Sequence, residues 1–349
     1  MLSYDEQAII AAFHDNYELY EQLEQRAMTV INRIIDENNF FVMQVSHRIK
    51  NVDSLMGKLR QKSGKYKSLY DITDIFGVRI ICFFSDTVDK IAEKIEEVFD
   101  VDVDNSIDKR VSLQATQFGY LSLHYVCSLK GDDAVSNIGF EIQLRTVLQH
   151  AWAEIEHDLG YKSEFGVPRP IRREFSRVAS LLEIADNQFI SLRESTHAYT
   201  EEVRAKIING ETSDVQLDKV SLFEYVRIND AFCNLCKELT NKTGVEIEVI
   251  EPDIYISQFE WLGLTSIGDL DEFLRRNVDR TLVVIADKIK EYELDLISTN
   301  MILRYLCYVE LSNDKYNEQQ LKDFLVLSGV RSVLVEGQIE EIKELGKLE

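Results

Sequence analysis

Four cations, Arg48, Lys50, Lys58 and Arg79, and two carboxylates, Asp74 and Glu141, are the residues of this chain whose types suit a phosphorylated substrate. Phosphate groups need cations that can donate charge-assisted hydrogen bonds. A divalent metal bridging phosphates needs hard oxygen ligands, which Asp74 and Glu141 would offer. The cations are concentrated: Arg48 to Lys67 holds Arg48, Lys50, Lys58, Arg60, Lys62, Lys65 and Lys67 against one acid, Asp53, while the whole chain carries a formal charge of -22. A basic island in an acidic protein points to a local anion site. The plainer alternative is a solvated basic helix face. A third requirement, a flat surface for a nucleobase, is met by Tyr120, which follows Gly119 at the start of a polar strand face. Each signal alone is weak, because an aspartate before a strand usually caps a turn and a tyrosine at a strand end usually packs.

The elements that must position these residues read as follows. Helical periodicity runs from Tyr4 to about Asn38, and a second helix is expected through Val42–Lys62, with Val52, Leu55, Met56 and Leu59 as its buried stripe. Ser63-Gly64 ends it. Gly77–Phe84 predicts a strand, and Asp86 is expected to cap a helix through Val98. Asp100–Phe118 reads as an irregular polar loop over a site. Tyr120–Leu129 alternates with period two, which puts Tyr120, Ser122 and His124 on one face. Gly139–Arg145 does the same: Glu141, Gln143 and Arg145 face one way, Phe140, Ile142 and Leu144 the other. A helix over Thr146–Leu159 and a long one over Ile171–Ile208 follow, closed by Asn209-Gly210. The stretch GETSD is the expected domain boundary. Beyond it, Leu217–Lys242 reads helical, Val245–Ile250 as a strand, and some four helices complete the chain.

At 349 residues, with hydrophobic residues at 45% and charged at 29%, the chain is expected to form about two globular domains. A pI near 4.8 argues against bulk DNA binding. No stretch of about 18 apolar residues could span a bilayer, and no secretory leader opens the chain, so a reducing cytoplasm is the expected location. The five cysteines are scattered. Cys233-Asn-Leu-Cys236 lies in a helical pattern without a second pair, and buried structural thiols are expected there. About three-fifths of the net negative charge lies after Gly210, so that region reads as no phosphate binder.

In order and spacing, Arg48-Ile-Lys50 with Ser54 and Lys58, then YDITDIFGVRI, then GYLSLH, then EIQLRT resembles the synthetase domain of the RelA/SpoT alarmone synthetases over roughly residues 40 to 165. The resemblance implies an α+β fold: a nucleotidyltransferase-like mixed sheet flanked by helices (41–210), preceded by N-terminal helices (1–40) and followed by an acidic, mainly helical domain (211–349). It implies an enzyme that moves pyrophosphate from ATP to a nucleotide 3'-hydroxyl. Arg48 and Arg79 would then sandwich adenine, with Lys50, Ser54 and Lys58 on the ATP phosphates. Asp74 and Glu141 would bind Mg2+, with Glu141 also accepting the proton of the attacking hydroxyl. Tyr120 would stack on the acceptor base, while His124, Gln143 and Arg145 would contact its sugar and phosphates.

The acceptor side departs from the family pattern. Where the family commonly reads PKxNGYQSLH, this chain has ATQFGYLSLH, with Thr116 for the lysine, Phe118 for the asparagine and Leu121 for the glutamine. Lys109 and Arg110 are upstream cations that would compensate. GDP or GTP is the acceptor the family majority implies; an adenosine nucleotide or the 3' end of tRNA is the alternative. Two other classes compete: a nucleotide sensor that lost turnover, and a toxin or defence effector restrained by its C-terminal domain. Presence of both Asp74 and Glu141 argues against the sensor. His150 and Glu154, one helical turn apart, suggest a metal pair, but read as helix packing and site support. No histidine-rich hydrolase array is apparent, so no alarmone hydrolysis is expected. A homo-oligomer is compatible with the family.

Overall fold

A computed structural model describes residues 3–108, 122–160 and 169–347. The chain clusters into two compact units that divide between Arg193 and Glu194.

The first unit is built on a five-stranded mixed sheet: β1 (Val42–Ile49), β2 (Phe76–Cys82), β3 (Asp100–Asp108), β4 (Leu123–Ser128) and β5 (Phe140–Thr146), in the order β1-β2-β5-β4-β3. Only β2 and β5 run parallel; the other neighbours are antiparallel. Phe76, Val78, Ile80, Phe140, Ile142 and Leu144 are almost fully buried, as their alternation with polar residues predicts. They share one core with Leu23, Ala27 and Ile31 of α2 (Tyr17–Glu37) and Val88, Ile91 and Ile95 of α4 (Ser85–Val98). Each such side chain contributes about 1.5–3 kcal/mol on burial. That core fixes which face of the sheet is left for polar residues.

The expected helix over Val42–Lys62 is corrected. Its first half is the edge strand β1, and only Val52–Gln61 is helical (α3). The register of β1 against β2 slips between Val42 and Gln44. That irregularity leaves Val42, Val45 and Ile49 half-buried at spacings of three and four, which imitates a helical stripe. Asn51 separates the two elements, accepting the Ser54 N–H with its side chain as the helix N-cap.

Two further expectations change. The supposed loop after Asp100 opens as β3, whose Val-Asp alternation marks a solvated edge strand; Ser106 Oγ donates to the Asp102 carbonyl and accepts the Val126 N–H where the register breaks. Asp86 sits inside the first turn of α4 without capping it; Arg193 holds its carboxylate with two nitrogens, at 3.1 and 2.8 Å. After β5, Thr146 caps α5 (Val147–Gly160), exchanging hydrogen bonds with Gln149, and α6 (Arg169–Asn209) follows with α1 (Tyr4–Asp15) completing the unit's helices.

The second unit is mainly helical, as expected. The last turns of α6 bring Val203 and Ile207 into its core, and Gly210 closes that helix at φ 74. The rest comprises α7 (Lys219–Ile228), α8 (Asp230–Thr243), α9 (Ile256–Trp261), α10 (Ile267–Glu291), α11 (Thr299–Leu311), α12 (Glu318–Leu327) and α13 (Ser332–Leu345), with a parallel pair β6 (Glu246–Glu248) and β7 (Leu296–Ser298). The helix α10 starts from a Ser266–Asp269 capping box and packs on α8 and α11. Cys233 and Cys236 are only partly buried, against expectation, although burial pushes the Cys236 thiol up to about 12. No helix of the described residues is long and apolar enough to cross a membrane.

Candidate active site

Strand register gathers the polar residues. Arg48 of β1 lies opposite Gly77 of β2, and Ser46 opposite Arg79. Gly77 and Arg79 in turn sit beside Glu141 and Gln143 of β5, and Gln143 opposite His124 of β4. Registered partners share a face of a sheet, so Arg48, Arg79, Glu141, Gln143 and His124 stand together on the face away from the core. Gly77 leaves a gap between Arg48 and Glu141: a Cβ there would meet only the Glu141 carbonyl oxygen, at 3.9 Å. The result is a cavity of about 250 Å³ whose lining includes Ser46, Arg48, Lys50, Asp74, Arg79, Glu141 and Gln143.

Asp74 enters from the loop before β2. Its Oδ2 accepts from Lys50 Nζ at 2.8 Å, and its Oδ1 lies 2.6 Å from Lys58 Nζ. Burial alone would raise its pKa; the hydrogen bonds and charges of Lys50 and Lys58 outweigh it and hold the carboxyl below its usual value. Glu141 is similar. Burial pushes it up, but His124, whose Nδ1 is 2.5 Å from Oε1, and Gln143 bring it below its usual value, against an upward push from the Asp74 charge. Both carboxyls are therefore ionised at neutral pH, and both line the one cavity. Two carboxylates facing one cavity fit Mg2+, which binds through one or two carboxylates and completes its octahedron with phosphates and water. Among the described residues no group of three or more histidines, cysteines or acids could hold a metal by itself.

The remaining expected residues are distributed unevenly. Arg145 is buried and donates to Gln143 Oε1 at 2.7 Å, one hydrogen bond behind the cavity wall. Ser54 is exposed on the first turn of α3 and is not among the lining residues. Lys109, Arg110 and Tyr120 lie outside the described residues, as do Thr116, Phe118 and Leu121. Where the chain resumes, Ser122 Oγ and His124 Nε2 are buried and have no hydrogen-bond partner among the described residues. Buried polar atoms are seldom left so.

Ser46 escaped sequence reasoning. It lines the cavity, and its alternation with Arg48 would have shown it had the stretch been read as a strand. Glu154 of α5, which the sequence reading pairs with His150 as helix packing and site support, accepts from Arg79 at 2.9 Å, with His150 Nδ1 at 3.7 Å from the same oxygen. Burial and the charge of Arg79 keep His150 below its ordinary pKa, which suits a neutral imidazole beside the ion pair and not a cation.

The family model described as a region found in RelA / SpoT proteins matches residues 47–165. The GTP pyrophosphokinase YjbM of Bacillus subtilis (strain 168) is 30% identical over 152 residues, which are 43% of this chain and 71% of that protein. The GTP pyrophosphokinase YwaC of the same organism is 27% identical over 151 residues, 42% of this chain and 71% of its own length. Among solved structures, small alarmone synthetase 1 from Bacillus subtilis aligns at 24% identity over 53% of this chain and 97% of that one, with a TM-score of 0.44.

Proposed function

This chain belongs to the RelA/SpoT family, and from that premise we propose that it is a nucleotide pyrophosphokinase making (p)ppGpp-type products from ATP and an acceptor nucleotide. The observation that carries the reading is one cavity lined by two ionised carboxylates, Asp74 and Glu141, with Lys50 and Lys58 on the first of them. Cations and carboxylates in such contact have to exchange partners when a metal–polyphosphate enters.

In this reading Arg48 and Arg79 take the adenine between their guanidinium planes, and Lys50 and Lys58 take the phosphates, with Ser54 at the start of α3 as a further donor. Asp74 and Glu141 would hold Mg2+, which when bound neutralises charge on the phosphoryl oxygens. Glu141 also accepts the proton of the acceptor 3'-hydroxyl. The hydroxyl oxygen bonds to the β-phosphorus of ATP, the bond from that phosphorus to the α–β bridging oxygen breaks, and AMP leaves with the electron pair. The protein's contribution is mainly position and fixed charge. Tyr120 stacks on the acceptor base, and His124, Gln143 and Arg145, with Lys109 and Arg110, serve its sugar and phosphates. Ser122 Oγ and His124 Nε2, buried and without a hydrogen-bond partner among the described residues, support an acceptor on that side.

GDP or GTP is the proposed acceptor, on the strength of the two relatives' activity. Thr116, Phe118 and Leu121 favour a second reading, an adenosine nucleotide or the tRNA 3' end. Incubation with γ-labelled ATP and separate pools of GDP, GTP, AMP, ATP and tRNA decides. Label in GDP or GTP supports the first reading, label in the adenosine pools or tRNA the second, and label in none refutes both.

A further inference from the structure

Each carboxylate that would receive a divalent metal is already engaged by a nitrogen of the chain. Lys50 and Lys58 take one oxygen of Asp74 each, at 2.8 and 2.6 Å, and His124 takes Oε1 of Glu141. Two ammonium groups against one carboxylate make the Asp74 end of the cavity net positive towards an arriving cation. These lysines are also confined. Their side chains are only 12% and 19% exposed, so solvent screens them weakly. The backbone N–H of Lys50 donates to the Ile75 carbonyl at 2.7 Å, which fixes the root of that side chain, and the Lys58 ammonium lies 5.5 Å from the centre of the Tyr66 ring. A bare dication must therefore displace ammonium groups from the carboxylate that now holds them. A polyphosphate arriving with the metal supplies them with a new acceptor.

We propose that Lys50 and Lys58 are specificity-determining residues that admit a divalent metal to Asp74 only together with a polyphosphate. The site would then refuse bare metal and accept the metal–nucleotide complex. This rests on reading the cavity as the ATP site. By linkage, the factor by which nucleotide tightens metal binding equals the factor by which metal tightens nucleotide binding.

The test uses the full chain with Mn2+ as probe, its free concentration followed by electron paramagnetic resonance, with and without α,β-methylene ATP. Wild type is expected to bind bare Mn2+ weakly and to bind it tightly with the analogue. Lys58→Met keeps the apolar stem and removes the charge. It should bind bare Mn2+ roughly ten- to a hundredfold more tightly, the fold-change of removing one poorly screened ammonium in ion-pair contact with Asp74, while binding the analogue more weakly. Lys50→Met should move both affinities in the same directions, and Asp74→Asn added to Lys58→Met should abolish the gain. Thermal melts report whether each variant folds, and either lysine variant suffices. The proposal is overturned if neither variant gains affinity for bare Mn2+, if the gain survives Asp74→Asn, or if wild type binds bare Mn2+ as tightly as with the analogue. Failure of wild type to bind the analogue at all, with Mn2+ present, overturns the ATP-site reading itself.

Discussion

Glu154→Gln tests whether a residue outside the cavity wall sets the position of Arg79. The carboxylate of Glu154 lies 2.9 Å from Arg79 Nη1, but the two side chains are 55% and 34% exposed, so water screens the pair. A pair of this exposure is worth about 0.2–1 kcal/mol. If that energy holds the guanidinium ready to stack on adenine, losing it raises KM for ATP about 1.4- to 5-fold and leaves kcat nearly unchanged. The same small energy predicts a fall in melting temperature of no more than about 4 °C. Initial rates of labelled pyrophosphate transfer, with ATP varied at saturating acceptor, give the two constants. Arg79→Ala should raise KM for ATP by more, and adding Glu154→Gln to it should change nothing further, because the group that Glu154 positions is gone. A hundredfold fall in kcat at unchanged KM would place Glu154 in the chemistry and refute the positioning role. An effect of Glu154→Gln undiminished in the Arg79→Ala background would refute it equally.

Three other outcomes are expected. Glu141→Gln removes both the proposed base and a metal oxygen, so turnover in the labelled-ATP assay should fall at least about a hundredfold while the analogue still binds. Asp186 is buried on α6, receives Thr146 Oγ1 at 2.8 Å, and its Oδ1 has no hydrogen-bond partner among the described residues; burial raises its pKa, and the Thr146 bond only partly offsets this. A raised carboxyl pKa means that the ionised form costs stability above the folded pKa and that this cost disappears as pH falls. Asp186→Asn should therefore stabilise the fold near pH 7.5 by about 1–2 kcal/mol and progressively less towards pH 4.5, in melts across that range; destabilisation at every pH would refute the assignment. Asp86 has the opposite sign, because the Arg193 hydrogen bond holds its pKa low: its contribution is present at neutral pH and is lost as pH falls through its folded value, so Arg193→Met should destabilise at pH 7 and matter little near pH 2.

The short strands β2 and β5 were legible because each is buried on one face and polar on the other. Alternation alone then assigns Glu141 and Gln143 to one side and Phe140, Ile142 and Leu144 to the other. The edge strands were not. In β1 a register slip near Met43 disguises period two as a helical stripe, and in β3 solvent on the outer side admits so much aspartate that the stretch reads as a loop. An edge has only one neighbour, so its sequence carries less of the pattern that pairing and burial impose.

Residue types and their order were enough to identify the family: cations before Asp74, a carboxylate at Glu141, and motifs that stand in the family's order. Which atoms meet was decided by the sheet. Inserting β5 beside β2 brings Glu141 to Gly77 and Gln143 to Arg79 across more than sixty positions of chain, and α5 then returns Glu154 to Arg79. Nothing local encodes such contacts, because they follow from strand order and register, which depend on how the whole apolar face packs. The contact between Lys50, Lys58 and Asp74 is of that kind. In the sequence they are two cations and an acid, and only the fold puts both ammonium groups on one carboxylate.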